Sequence, residues 1–247
     1  MRFNNFLILS IAVLLTTGCK ETNEADTIIQ RTIETYFPSG LVNKQITFDF
    51  RDRSYSTTRY PDKFIYTRAF EDSIGSVKDI LTNSTQFVRL VNDDTIELTD
   101  EWSKKYTSSV NAVLYFFQIP FVLNDPAANK ELLAEETIND KSYWKVLVTF
   151  DQESGGAGYE DHFLYWIDRK SNNIDYLAYN YSDDGGGVRF REAINRRKID
   201  GITFQDYINF EVPIGTPLEN IPGLYTEGKL KELSRIINEN IVVFTIP

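Results

Sequence analysis

Short polar turns between runs of alternating residues constrain this chain more than any other feature. Asp200-Gly201 sits between Val188–Arg197 and Ile202–Phe210, and Asp-Gly is a strong two-residue hairpin signal. Asn92-Asp93-Asp94 separates Gln86–Val91 from Thr95–Leu98, and Asn238-Glu239-Asn240 separates Lys229–Ile237 from Ile241–Ile246. A parallel neighbour needs a crossover of about a dozen residues or more, so turns this short dictate antiparallel pairing. Gln45–Arg53 places Ile46, Phe48 and Phe50 on one side. Lys63–Glu71 sets Phe64, Tyr66, Arg68 and Phe70 against Ile65, Thr67 and Ala69. Tyr143–Phe150, a Gly-rich SGGAG loop, Asp161–Asp168 and Ile174–Tyr181 continue the meander, followed by Asp183-Asp184-Gly185-Gly186-Gly187. The abundance of Phe and Tyr suits strands.

Two segments break this period. Glu24–Tyr36 carries Ile28, Ile29, Ile33 and Tyr36 at helical spacing, with Asn23 placed to cap it and Asp26 near its positive end. From about Asp100 to Gln118, the residues Trp102, Tyr106, Val110, Val113, Leu114 and Phe117 form a stripe at steps of three and four. Thr99 or Asp100 can cap this helix, and Pro120 stops it. Its end, LYFFQIPFVL, is apolar on several sides and must be buried on more than one face. The expected class is mostly β (α+β). We expect a large curved antiparallel sheet or unclosed β-barrel over residues 24–247, covered by an N-terminal helix and a mid-chain helix.

The first residues read as an address. Arg2 is a positive start, Phe6–Leu15 is an apolar run of ten residues, and Thr16-Thr17-Gly18-Cys19 follows. Ten residues make a secretory h-region, whereas a spanning helix needs about 20. Small residues before Cys19 resemble a lipobox, which implies cleavage after Gly18 and acylation of the Cys19 thiol. Residues 19–23 then serve as a lipidated tether. Cys19 is the sole cysteine, so it has no disulfide partner within the chain. The expectation is a cell-envelope protein held at a membrane by acyl chains on Cys19. With Lys20 and not Asp at the second position, the lipoprotein resemblance implies the outer membrane, in its periplasmic or surface leaflet.

Charge and scarce chemistry narrow the function. The net charge is −10, and loss of Arg2 with residues 1–18 makes it −11, which repels phosphate backbones and argues against nucleic acid. His162 is the lone histidine. It follows Asp161 in an expected strand, where neighbouring side chains point apart and form no dyad. No Gly-x-Ser-x-Gly elbow accompanies it. With no further His or Cys, nothing calls for a metal or cofactor. Arg189 and Arg191 share a strand face opposite Val188 and Phe190, where pairing with acids on neighbouring strands is expected; with His162 they are the candidate polar cluster. Lys145 sits in the apolar YWKVLV stretch, and alternation permits it to face either way. Trp144, Trp166, Tyr165, Tyr176 and Tyr179 lie on strands apolar on both faces.

The order of helix, meander and mid-chain helix resembles the lipoprotein-carrier (LolA-like) superfamily, in which an unclosed barrel holds acyl chains under helices. DHFLYWID (Asp161–Asp168), IDYLAYNY (Ile174–Tyr181), GGVRFREA (Gly186–Ala193) and DGITFQDYINF (Asp200–Phe210) resemble an uncharacterised family of Bacteroidota envelope lipoproteins. The resemblance implies a fold and an address without a reaction. The reading that follows is a monomeric, non-catalytic module binding a hydrophobic small molecule or lipid. Its candidate lining is Phe116, Phe117, Phe121, Trp144, Trp166 and Tyr176. Two alternatives stand beside it: a structural or surface-interaction protein with a filled core, and an envelope hydrolase using His162.

Overall fold

The computed structural model describes residues 23–151, 160–182 and 185–247. The signal segment, Cys19, the SGGAG loop and Asp183-Asp184 lie outside the described residues. The first helix, α1 (Glu24–Tyr36), has the expected bounds, and the Asn23 side chain accepts from Ala25 N. Strands β1 (Lys44–Phe50), β2 (Arg53–Arg59), β3 (Phe64–Asp72), β4 (Gly75–Thr82), β5 (Gln86–Val91) and β6 (Asp94–Ile96) form an antiparallel meander. Helix α2 (Asp100–Phe117) follows, capped by the Thr99 hydroxyl.

The second half builds β7 (Ala128–Leu132), β8 (Glu136–Ile138), β9 (Lys141–Phe150), β10 (Phe163–Asp168), β11 (Ile174–Tyr181), β12 (Gly187–Ile199) and β13 (Ile202–Val212). A short helix, α3 (Ile221–Thr226), precedes β14 (Lys231–Ile236) and β15 (Glu239–Thr245). The strands form two unclosed antiparallel sheets. One has the order β15-β1-β2-β3-β4-β5-β6, the other β14-β13-β12-β11-β10-β9-β7, with β8 also on β9.

The sheets meet where the chain leaves β14, at the edge of the second sheet, and enters β15, at the edge of the first. Buried Asp206 holds that crossing: it takes Arg197 in an ion pair and accepts from Asn238 N. The final strand therefore closes onto β1, with Ile46 opposite Val243, instead of ending the second meander as its sequence position suggests.

The turn chemistry follows the sequence. Asp200 and Gly201 have φ of 48° and 82°, and Asn92 and Asp93 have 50° and 69°, the left-handed pair that a two-residue hairpin requires. Ile199 then faces Ile202 across the first turn, and Val91 faces Asp94 across the second.

Several strands were not legible. Arg51-Asp52 is a turn that splits the expected Gln45–Arg53 strand, and β2, whose sequence is RSYSTTR, follows it. Strands β4, β7 and β8 and helix α3 also lack strong alternation. The buried positions of β2 include Ser56, Thr57 and Thr58, and those of β4 include Asp79, polar residues that a hydrophobic pattern passes over.

The two helices cover different sheets. Helix α1 lays Ala25, Ile28, Ile29 and Ile33 on the second sheet, against Val146, Tyr165, Leu177 and Tyr207. Helix α2 lays Val110 and Leu114 on the first sheet, against Phe48, Tyr55, Tyr66 and Leu81. Tyr36, Phe37, Leu41, Ile46, Ile202 and Phe204 join the two layers. The far face of the second sheet buries Leu164, Trp166, Tyr176 and Phe190 beneath Ile221 and Tyr225. That cover explains why β10 is buried at all six positions.

Candidate functional site

The aromatic end of α2 reaches past the first sheet toward the second. Phe117 stacks on Phe48 at 3.7 Å between ring centroids and on Phe204 at 5.4 Å, so one ring touches both sheets. Phe116 packs against Tyr179 at 4.9 Å and Phe163 at 6.2 Å. Phe121, in the 3-10 turn after Pro120, meets Phe37 edge-on. Pro120 cannot continue the helix, and the 3-10 turn Phe121–Asn124 that follows buries Leu123 in the core beneath α1.

Between this helix end and the two sheets lies an open cavity of about 1200 Å³. It exceeds the roughly 300–1,000 Å³ of a typical small-molecule pocket. Phe116, Phe117 and Phe121 line it, as do Tyr66, Tyr115, Phe163, Tyr179 and Tyr207. Burial pushes the Tyr66, Tyr115 and Tyr207 hydroxyls above their ordinary range, so these phenols stay neutral.

Two buried or half-buried arginines, Arg59 and Arg191, border the same space. Arg59 donates from Nε to Gln118 Oε1 at 2.8 Å and from Nη2 to the Tyr66 hydroxyl at 3.0 Å. Its guanidinium lies over Phe121 and Phe64, and burial pulls its pKa below the usual value. Gln118 Nε2 in turn donates to Tyr66 and to Leu114 O, which ties the helix end to the wall. Arg191 is buried over the Phe116 ring at 3.8 Å, and its Nη2 donates to the Tyr179 hydroxyl at 2.8 Å. Asp125, Asp161, Arg51 and Lys104 also border the cavity.

The expected residues divide. Phe116, Phe117, Phe121 and Arg191 come together at the cavity. Trp144 packs with the core under α1 on that side of the sheet but does not border the cavity, and Arg169 stacks on its ring. Trp166 and Tyr176 belong to the opposite face, where Trp166 Nε1 donates to Glu136. Arg189 lies over Tyr181 and donates to its own neighbour's carbonyl at Val188. The expectation that Arg189 and Arg191 pair with acids is not met among the described residues, where both rest on aromatic rings. Lys145 faces away from the cavity and pairs with Glu136 at 3.2 Å.

His162 precedes β10 instead of lying in it, is exposed, and borders a smaller hollow of about 520 Å³ shared with Leu164 and Ile214. Its backbone N–H donates to Asn180. Among the described residues no group of three or more His, Cys, Asp or Glu side chains is placed to hold a metal.

Arg59, Gln118, Phe163 and Tyr207 were missed. Arg59 ends a polar strand, and Gln118 ends a helix, so neither carries a periodic signal. Phe163 and Tyr207 sat in strands already assigned, but their faces depend on which layer covers each side.

Among solved structures, a LolA superfamily protein from Nitrosomonas europaea shares this fold at 13% identity with a TM-score of 0.52, covering 90% of this chain and 94% of that one. A DUF1329 family protein from Desulfovibrio piger is 9% identical with a TM-score of 0.43, covering 83% of this chain and 98% of that one. A lipoprotein-sorting protein domain from Vibrio parahaemolyticus is 5% identical with a TM-score of 0.34, covering 81% and 97%. No curated protein matches the chain. A family model matches residues 4–238, almost the whole length, and the chain belongs to that family, described as a Family of unknown function (DUF6503).

Proposed function

We propose that this protein is a lipid-anchored envelope protein that holds a hydrophobic or lipid ligand between its two sheets without catalysing a reaction. The observation that carries the reading is the cavity of about 1200 Å³ walled by the aromatic end of α2. A core filled by its own side chains would leave no such space, and this disfavours the structural alternative. The hydrolase alternative loses support because His162 borders a different hollow and is exposed. The LolA-like fold supports the reading as an analogy of architecture. An acyl chain would bury CH₂ groups at about 0.8 kcal/mol each, enough for roughly micromolar binding after ordering costs.

Native mass spectrometry of the protein from its own envelope tests this. A co-purifying lipid mass that is lost in Phe116→Asp, with an unchanged circular dichroism spectrum, is the expected result. A ligand-free native protein that also fails to bind the neutral apolar dye N-phenyl-1-naphthylamine would overturn it.

A further inference from the structure

An apolar ligand needs no buried guanidinium, yet Arg191 faces this cavity with only 8% of its surface exposed. Among the described residues, Nη2 alone of its three guanidinium nitrogens has a hydrogen-bond partner, the Tyr179 hydroxyl. Its Nε is buried and unsatisfied. The other orphan buried side-chain atom among the described residues is Asn209 Oδ1. Asn209 is the direct cross-strand partner of Arg191, and it borders the same cavity. Its Nδ2 reaches Ser234 Oγ at 3.3 Å; a half-turn of the amide would exchange the two atoms, since a hydroxyl can donate as well as accept.

The two unsatisfied atoms therefore belong to cross-strand neighbours that border the same cavity beside the aromatic rings of Phe116, Phe163 and Tyr179. Burying a cation without an anion is costly, and ring faces offset only part of that cost. Of the other cations at the cavity, Arg59 already donates to Gln118 and Tyr66, whereas Arg51 and Lys104 are exposed to water. Among the described residues no ion pair joins Arg191 to an acid, and Asp161, which borders the cavity, has partners of its own.

We propose that the cavity selects an anionic amphiphile, whose carboxylate or phosphate oxygens accept from the Arg191 guanidinium and, with the amide turned so that Oδ1 takes the Ser234 hydroxyl, from Asn209 Nδ2, while its chain runs along Phe116, Phe163 and Tyr179. This rests on the ligand-binding reading and names the ligand class. Guanidinium and carboxylate or phosphate match as planar, charge-assisted hydrogen-bond partners, which gives the head group both charge and direction.

The test is displacement of N-phenyl-1-naphthylamine from the purified full chain at pH 8. Competitors are dodecanoate, dodecyl phosphate, dodecanol and inorganic phosphate. Dodecanoate and dodecyl phosphate are expected to displace the dye at roughly tenfold lower concentration than dodecanol. Arg191→Met should close that gap, because dodecanoate and dodecyl phosphate lose far more than dodecanol does, and Arg191→Lys should keep part of it. A thermal melt of each variant shows that it is folded; if Arg191→Met does not fold, Arg191→Gln takes its place.

Equal displacement by dodecanol and dodecanoate in the parent would overturn the proposal. So would a gap that survives Arg191→Met. Inorganic phosphate carries the charge without the chain; if it raises the melting temperature as much as dodecyl phosphate, the site serves a free anion and the amphiphile is wrong. Dye binding without charge preference removes this inference alone, whereas absence of all dye binding removes the ligand-binding reading with it.

Discussion

At the scale of single residues, the first sheet is organised by charges under its helix. Asp79 is fully buried and accepts from Arg68 at 2.6 and 2.9 Å and from Arg89 at 2.7 and 3.0 Å. Arg68 also reaches Ser109 Oγ on α2, and Arg89 lies 3.4 Å above the Tyr106 ring. Removing the shared carboxylate leaves two guanidiniums buried without a counter-charge, so Asp79→Ala should lose about 3–5 kcal/mol in urea unfolding. Sequence alternation already set Arg68 on the same side as Phe64, Tyr66 and Phe70, but nothing in the pattern named its partner, ten or more positions away.

Asp168 makes a second residue-scale prediction. Burial pushes its carboxyl up, but the backbone N–H of Ser171, the Lys141 ammonium and the Lys170 N–H outweigh this and hold it down at about 2. The folded value lies below the unfolded one, so this stabilisation is fully present above about pH 4 and is lost as pH falls through about 2. The melting temperature should drop between pH 4 and pH 2, and Asp168→Asn should flatten that part of the profile.

At the scale of elements, α2 shows how far periodicity reaches. Its bounds, its Thr99 cap and its Pro120 stop were legible, because helix spacing and capping are local properties. Its stripe is only partly a core stripe. Val110 and Leu114 are fully buried, whereas Trp102 remains 45% exposed and stacks on Tyr106. Leu114→Ala should therefore cost about 3 kcal/mol in the same unfolding measurement, within the range for a buried leucine. Trp102→Ala should cost well under half of that. The far end of the helix is apolar on several sides because it meets two sheets and a cavity, and its sequence announced the several-sided burial without saying which surfaces share it.

At the scale of the whole molecule, the envelope reading depends on Cys19. Cys19→Ser should abolish incorporation of labelled palmitate and move the protein from the membrane to the soluble fraction, or leave it uncleaved; a variant that stays labelled and membrane-bound would sink the anchor. None of the described helices is long and apolar enough to cross a bilayer, a statement that does not extend to strands.

Antiparallel pairing, both long helices and the mostly β class followed from the sequence alone, because turn chemistry, capping and side-chain period act between residues close in the chain. Tertiary structure decided the rest. It split the strands into two sheets, sent β15 to β1, and covered the far face of the second sheet with α3, which turned Trp166 and Tyr176 away from the cavity. It also paired Arg191 with Asn209 across 18 residues of chain, one on each arm of the β12–β13 hairpin, and set both against a space bounded by α2. A strand's alternation tells which residues share a face; which face meets a helix, a second layer or an empty space depends on packing between segments far apart in sequence, and no local pattern encodes it.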